Sequence, residues 1–255
     1  MTRASRYSWA GLRRRWSDRR RRRRRFGIDL ASDVRTLFWH AEPRVILDIG
    51  ANAGRESERW HREFPAARIH AFEPGPETFA RLQNRTANMP NVTAWNLAVG
   101  AVHGRLPMRI FAGDETNSLL PMSAAAVEFV GAGGVIEQRQ VDVEVTTVDR
   151  FCADHGLTAV DLLKSDTQGY ELQVLRGAAQ SIARGAIGAL VLEANFVAHY
   201  DGQALFPEIY EHLRSRGFRF VGLYQASRNH VYALNWADAL FVLPDHIAPR
   251  LYPPA

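Results

Sequence analysis

The chain has 255 residues, enough to bury one substantial core, and its 46% hydrophobic and 10% aromatic content is that of a globular protein. No apolar run reaches the about 18 residues of a membrane span, and the N-terminus lacks the apolar stretch of a secretory signal, so a cytoplasmic protein is expected. The formal charge of +5 divides unevenly: residues 1–25 hold twelve arginines against Asp18, or +11, which leaves −6 for the remainder. The run Arg19–Arg25 repels itself and buries nothing, so residues 1–27 are expected to form a disordered tail and residues 28–255 the folded domain. The tail reads either as a solvated extension or as a contact for nucleic acid or an anionic surface. Cys152 is the only cysteine, which excludes an intramolecular disulfide and suits a core position.

Past the tail, apolar runs alternate with amphipathic stretches, the pattern of βαβ units around a largely parallel sheet. An opening helix is expected over 28–40, with Ile28, Val34, Leu37 and Phe38 near helical spacing and Pro43 beyond its end. Strand one is Val45–Ile49, followed by a helix over 53–63. Strand two is Arg68–Glu73, with a helix from Pro76 to Asn88, and strand three is Val92–Val99. An excursion over 104–147 follows, with strand-like pieces at 106–111 and 141–147 around a glycine-rich turn, Gly131-Ala132-Gly133-Gly134. The alternation then resumes with a short helix over 148–155, strand four at 160–165, a helix over 170–184, strand five at 187–193 and a helix over 205–216. Strands at 218–223 and 237–243, joined by a loop over 224–236 without helical pattern, close the sheet as an antiparallel pair. The expected fold is α/β and Rossmann-like, a mostly parallel seven-stranded sheet with an antiparallel last strand.

Four motifs sit where such a sheet binds ligands, outside the carboxyl ends of its strands. In Asp48-Ile49-Gly50-Ala51-Asn52-Ala53-Gly54, Gly50 and Gly54 allow a sharp turn and a close approach of backbone to ligand. An acid at the first position would repel the pyrophosphate that a dinucleotide fingerprint seats on the helix N-terminus. Asp48 suits instead a ligand with a positive amino group, such as the methionine half of S-adenosylmethionine. Glu73 lies 23 residues after Gly50, where an acid accepts hydrogen bonds from ribose hydroxyls, and Pro74 stops the strand and aims that carboxylate into the crevice. Asn96 and Ala98, ending strand three, are expected to form the adenine-side wall. In Lys164-Ser165-Asp166-Thr167-Gln168-Gly169-Tyr170-Glu171, side chains alternate, so Lys164 and Asp166 share a face at the end of strand four. Lys164 is the only lysine among 32 basic residues.

Together with Asn117-Ser118-Leu119 and Leu175-Arg176-Gly177-Ala178, these motifs make the chain resemble the FkbM family of methyltransferases over roughly residues 44–243. The resemblance implies a class I methyltransferase fold, S-adenosylmethionine as cofactor, and O-methylation of hydroxyls on sugars, glycans, polyketides and related metabolites. Gln168 departs from the family pattern, in which many members look acidic, and the arginine-rich tail lies outside it.

A hydroxyl is a poor nucleophile at neutral pH, so a base should take its proton. Asp166 is the expected base, with Lys164 orienting it or countering charge, and His199 is the second candidate. No metal is assigned; the alternative is Mg²⁺ held by oxygens of Asp166, Glu193 and Asn195. Tyr224, His230, Tyr232, Asn235 and Trp236, in the loop between the last strands, are expected to wall the acceptor with Asn117 and Ser118. The expected partner is a small-molecule or glycan acceptor. Nucleic acid is not, because the chain without its tail is net acidic and has no interleaved basic and aromatic face. The tail keeps a nucleic-acid-directed methyltransferase as one alternative reading, and a non-catalytic cofactor-binding module is the other.

Overall fold

The computed structural model describes residues 27–38 and 41–251; the arginine run of the expected tail lies outside the described residues. Helix α1 (Leu30–Leu37) begins later than its apolar spacing predicts, because the Asp29 carboxylate caps it by accepting from the Ser32 N–H at 2.7 Å. Ile28 falls outside the helix and is 83% exposed. The chain continues through β1 (Val45–Ile49), α2 (Arg55–Glu63), β2 (Arg68–Phe72), α3 (Pro76–Thr86) and β3 (Val92–Trp95). Strand three is shorter than expected, since Asn96 turns out of the ladder and gives its Nδ2 to the Glu73 and Pro74 carbonyls, both at 2.9 Å. Beyond it, β4 (Ala98–Val99) joins β5 (Gly104–Phe111) and β6 (Glu137–Thr146) in a separate three-stranded sheet.

The glycine-rich segment of the excursion is no bare turn: it ends helix α4 (Val127–Gly134), which kinks at Gly131. Next come α5 (Val148–Asp154), whose Cys152 is buried, and β7 (Val160–Ser165). Where one helix is expected over 170–184 there are two, α6 (Glu171–Arg176) and α7 (Ala179–Ala183). The break arises because Asp149 caps a new start, accepting from the Gln180 and Ser181 N–H groups at 2.8 Å each. Gly177, at the break, has no room for a Cβ, which would lie 1.9 Å from the Gly100 carbonyl oxygen. Then follow β8 (Ile187–Asn195), α8 (Phe206–Arg214), β9 (Arg219–Arg228), β10 (Leu234–Val242) and α9 (Pro244–Leu251), a closing helix that the sequence pattern does not suggest.

The main sheet runs β3-β2-β1-β7-β8-β10-β9, parallel except for β10, which is antiparallel to both β8 and β9. This is the Rossmann-like arrangement expected, antiparallel last strand included. β1 is buried throughout because helices cover both faces. Leu47 and Ile49 pack with Phe151, Val174 and Leu213 on one side, while Ile46 packs with Val34, Trp60 and Ile247 on the other. The winding runs outward from β1 to β3 and the opposite way from β7 to β8, so the switch point of the sheet lies between β1 and β7. No helix among the described residues is long and apolar enough to cross a membrane.

Asp33, wholly buried in α1, accepts from the Gly27 N–H and from the Tyr224 hydroxyl, the latter at 2.8 Å, and so ties α1 to β9. Tyr224→Phe withdraws a donor from a buried carboxylate and should cost about 1–3 kcal/mol in urea unfolding. Tyr232→Phe should be neutral in the same measurement, since Tyr232 is 81% exposed.

Candidate active site

At the switch point the backbone leaves no space for a side chain. Gly50 takes a φ of 75°, and a Cβ on it would stand 1.8 Å from the Asp166 carbonyl oxygen. The Asp166 N–H in turn donates to the Ile49 carbonyl at 3.0 Å. Gly50 and Ala51 both donate to the Phe72 carbonyl, at 3.0 and 2.8 Å, and Asn52 gives its N–H to Glu73 Oε2 at 3.0 Å. Glu73 Oε1 accepts from the Gly75 N–H at 2.8 Å, so both carboxylate oxygens are oriented. These edges bound a cavity of about 830 Å³, a size suited to a small-molecule site.

Of the residues that the sequence reading assigns to a cofactor, Gly50, Ala51, Asn52, Glu73, Pro74 and Ala98 line this cavity. Asp48, Gly54 and Asn96 do not, and stand behind its wall. Asp48 is wholly buried beneath α2, where the Ser57 hydroxyl donates to its Oδ2. Gly54 starts α2 at a φ of 83°, and its missing Cβ makes room for Leu82 of α3. Asn96 braces the Glu73-Pro74 turn from outside, through the bonds described above. All three support the wall rather than form it.

All three expected catalytic residues, Lys164, Asp166 and His199, line the cavity. Parallel pairing of β1 with β7 sets Asp48 beside Lys164, whose Nζ lies 3.8 Å from Asp48 Oδ1 and 3.3 Å from Asp166 Oδ2. Burial alone would depress the Lys164 ammonium, but the carboxylates of Asp166, Asp48, Asp238 and Glu56 outweigh it and hold the group above its ordinary range. For Asp48, burial prevails and raises the carboxyl against the pull of Lys164 and Ser57. Asp166 behaves the other way: its side chain is 33% exposed, and Lys164, with hydrogen bonds including that from Gln168, overcomes burial and keeps it below the usual carboxylate range. Glu193, ending β8, is pushed well up by burial and by the charges of Asp166 and Glu171. The hydrogen bond between the two carboxyls adds to the split, lowering Asp166 and raising Glu193, so the environment drives two neighbouring groups apart. Burial lowers His199, which faces the cavity as a neutral imidazole.

The outer wall differs from expectation. β9 and β10 extend further, and the loop between them shrinks to 229–233. Tyr224 turns to Asp33 on the other side of the sheet, His230 lies beside Glu128 at 3.9 Å, and Tyr232 points into solvent. Only Asn235 and Trp236 of that group reach the cavity, with Asn117 and Ser118 as expected. Gln225 and Ser227 join them, presented by an irregularity in the β9–β10 register at which Gln225 takes a φ of 51°. With Asn52 at 47° and Gln168 at 54°, three non-glycine residues of the wall hold left-handed backbone, a strain that gathers at functional sites. No residue type at 225 or 168 announces that conformation in the sequence, and Tyr200, buried beside Gln168, was likewise not foreseen.

In the alternative set of metal oxygens, Asp166 and Glu193 are hydrogen-bonded to each other. Asn195 turns its Nδ2 to Glu193 Oε1 at 3.2 Å, and the Lys164 ammonium stands against Asp166. Among the described residues no group of three His, Cys, Asp or Glu side chains is placed to hold a metal ion.

The methyltransferase FkbM domain matches residues 48–220. The chain belongs to that family. Its 2-O-methyltransferase relative NoeI from Sinorhizobium fredii is 27% identical over 149 residues, covering 55% of this chain and 59% of that protein. Methyltransferase sdnD of Sordaria araneosa is 28% identical over 200 residues, 68% of this chain and 73% of that one. The 31-O-demethyl-FK506 methyltransferase FkbM of Streptomyces tacrolimicus is 28% identical over 198 residues, 69% and 73% of the respective chains. The match to NoeI therefore spans about three fifths of that relative's length.

In this FkbM domain Glu171, in the first turn of α6 and 1% exposed, accepts from the Thr167 N–H at 2.8 Å and hydroxyl at 3.0 Å. Burial pushes its carboxyl up to about 7 despite those bonds. A folded value above the unfolded 4.5 means that its contribution to stability is present below about pH 4.5 and is lost as pH rises through about 7. Glu171→Gln keeps the accepting oxygen and should be more stable than wild type at pH 8, by on the order of 1–3 kcal/mol, and lose most of that advantage at pH 5. Urea unfolding at the two pH values checks the sign.

Proposed function

We propose that this chain transfers a methyl group from S-adenosylmethionine to a hydroxyl of a sugar, glycan or secondary-metabolite acceptor. The observation that carries the reading is a carboxylate, Asp166, held 3.3 Å from the Lys164 ammonium in the same cavity as the glycine turn and the oriented Glu73 carboxylate. Glu73 would hold the ribose hydroxyls, and the bare backbone at Gly50 and Ala51 would let the cofactor approach closely. The excess of carboxylates around Lys164 suits a ligand that carries positive charge. When bound, the cofactor supplies an activated methyl group together with its leaving group.

The remaining chemistry falls to side chains of the protein. Asp166 takes the proton of the acceptor hydroxyl, and Lys164 holds that carboxylate in place and ionised. Glu193 keeps its own proton, so no second negative charge stands beside the base. The polar outer wall of Asn117, Ser118, Gln225 and Asn235 aligns the acceptor, and alignment can supply many kcal/mol of the barrier. The relatives NoeI, a 2-O-methyltransferase, and FkbM, a 31-O-demethyl-FK506 methyltransferase, support oxygen as the atom methylated.

Calorimetry with S-adenosylmethionine tests the cofactor half. Glu73→Ala should weaken binding about 10- to 100-fold, the worth of hydrogen bonds to a charged group. Tight binding by this variant removes the assignment. A radiolabelled methyl-transfer assay over a panel of hydroxylated acceptors tests the other half. Asp166→Asn cannot accept the proton and should lose about 10²- to 10⁴-fold in turnover while still binding cofactor. Full turnover would shift the base to another residue.

A further inference from the structure

Gln168 occupies the cavity floor in the left-handed conformation noted above, and every polar atom of its side chain is engaged. Its amide nitrogen has two hydrogens, and Nε2 donates to Asp166 Oδ1 at 2.8 Å and to Glu193 Oε2 at 3.2 Å. Its Oε1 lies 3.1 Å from the Tyr200 hydroxyl, which is also 2.9 Å from the Thr116 carbonyl and donates between the two. Its main-chain oxygen accepts from the Ser118 hydroxyl at 2.7 Å. One residue therefore joins the ends of β7 and β8 to the segment after β5 that closes the outer wall. A carboxylate of the same length would meet both carboxyls with no hydrogen to offer either.

We infer that Gln168 is a positioning residue: its amide holds the Asp166 carboxylate toward the cavity, ties it to the Glu193 carboxyl that shares a hydrogen bond with it, and sets it against the acceptor wall through Tyr200 and Ser118. The inference rests on the reading of Asp166 as the base. The groups that act on Asp166 show why a neutral donor matters there. Asp48 of β1, Glu56 of α2, Glu171 of α6, Glu193 of β8 and Asp238 of β10 all face it as acids, with Tyr200 as a neutral neighbour. Lys164, on its own strand, is the cation that opposes them. Withdrawing the N–H that Gln168 gives to Asp166 from such a balance favours a protonated Asp166, which is too weak a base to take a proton from a hydroxyl.

The test uses the full chain, uniformly labelled with ¹³C, and follows the Asp166 carboxyl carbon against pH; the resonance is the one missing from Asp166→Asn. In Gln168→Glu its midpoint should rise by about one to three pH units, the usual effect of a like charge at contact distance. In Gln168→Met, which removes the donors without adding charge, it should rise by less. Should the glutamate variant fail to fold, the methionine variant decides. Unshifted midpoints overturn the inference, and so does loss of the folded state in both variants, which would make Gln168 a structural brace. Calorimetry of the wild type with S-adenosylmethionine is run beside the titration. No binding there, with a shifted midpoint in the variants, removes the proposed reaction and leaves the positioning role standing.

Discussion

A buried ammonium costs several kcal/mol to desolvate and survives in a folded protein only where carboxylates surround it closely. Lys164 is that ammonium here, and its partners lie on both sides of the sheet's switch point. Asp48 reaches it from β1 and Asp166 from the end of its own strand. Asp48 is held in turn by Ser57, so the same charge network also seats the first turns of α2 over the sheet. Gly50 then becomes unavoidable, because strands drawn this close bring the Asp166 carbonyl into the space that a side chain at 50 would need. The glycine turn, the placement of α2 and the direction of Asp166 are consequences of one buried charge and the strand pairing around it.

That network also sorts the neighbouring acids into different states. Asp166 sits nearest the ammonium, has a face open to the cavity, and stays ionised. Glu193, Glu171 and Asp238 lie further into the protein or face other carboxylates, and burial raises each of them, Glu171 to about 7 and Asp238 to about 6. A single cation cannot offset several buried carboxylates at low dielectric, so these neighbours hold their protons to higher pH than Asp166 does.

The outer half of the cavity is made by a segment outside the main sheet and by an irregular edge of that sheet. The segment after β5 folds back over the strand ends through backbone bonds: Met122 bridges Tyr200, the Ser123 N–H donates to the His199 carbonyl, and the Asp201 N–H to the Pro121 carbonyl. Opposite it, the irregular pairing of β9 with β10 turns Gln225 and Ser227 inward while Tyr224 faces Asp33. The regular strands supply a rigid floor, and the segment after β5 and the irregular β9–β10 pairing shape the outer wall.

Much of the inner half is legible in the sequence because its signals are local. A strand covered on both faces reads as a continuous apolar run, as Val45–Ile49 does, and a strand-to-helix turn that must approach a ligand reads as glycine. The acid after strand two and the Lys164-Asp166 alternation likewise depend only on neighbours in the chain. Position relative to the cavity is a different matter. Asp48 heads the most recognisable motif and yet lies beneath the wall, because its surroundings are set by α2 and by a β7 residue 116 positions later. Strand three stops at Trp95 because Asn96 bonds back to the Glu73-Pro74 turn, and the helix after strand four breaks because Asp149 caps a second start. The hub role of Gln168 needs Asp166, Glu193, Tyr200 and Ser118 in place around it. Sequence alone thus determined the strand pattern, the glycine turn and the residue types of the inner site, which follow from short-range periodicity and backbone freedom. Tertiary structure decided which carboxylates face the cavity, which keep their protons and what walls the acceptor side, because burial and charge at each position depend on segments distant in the chain.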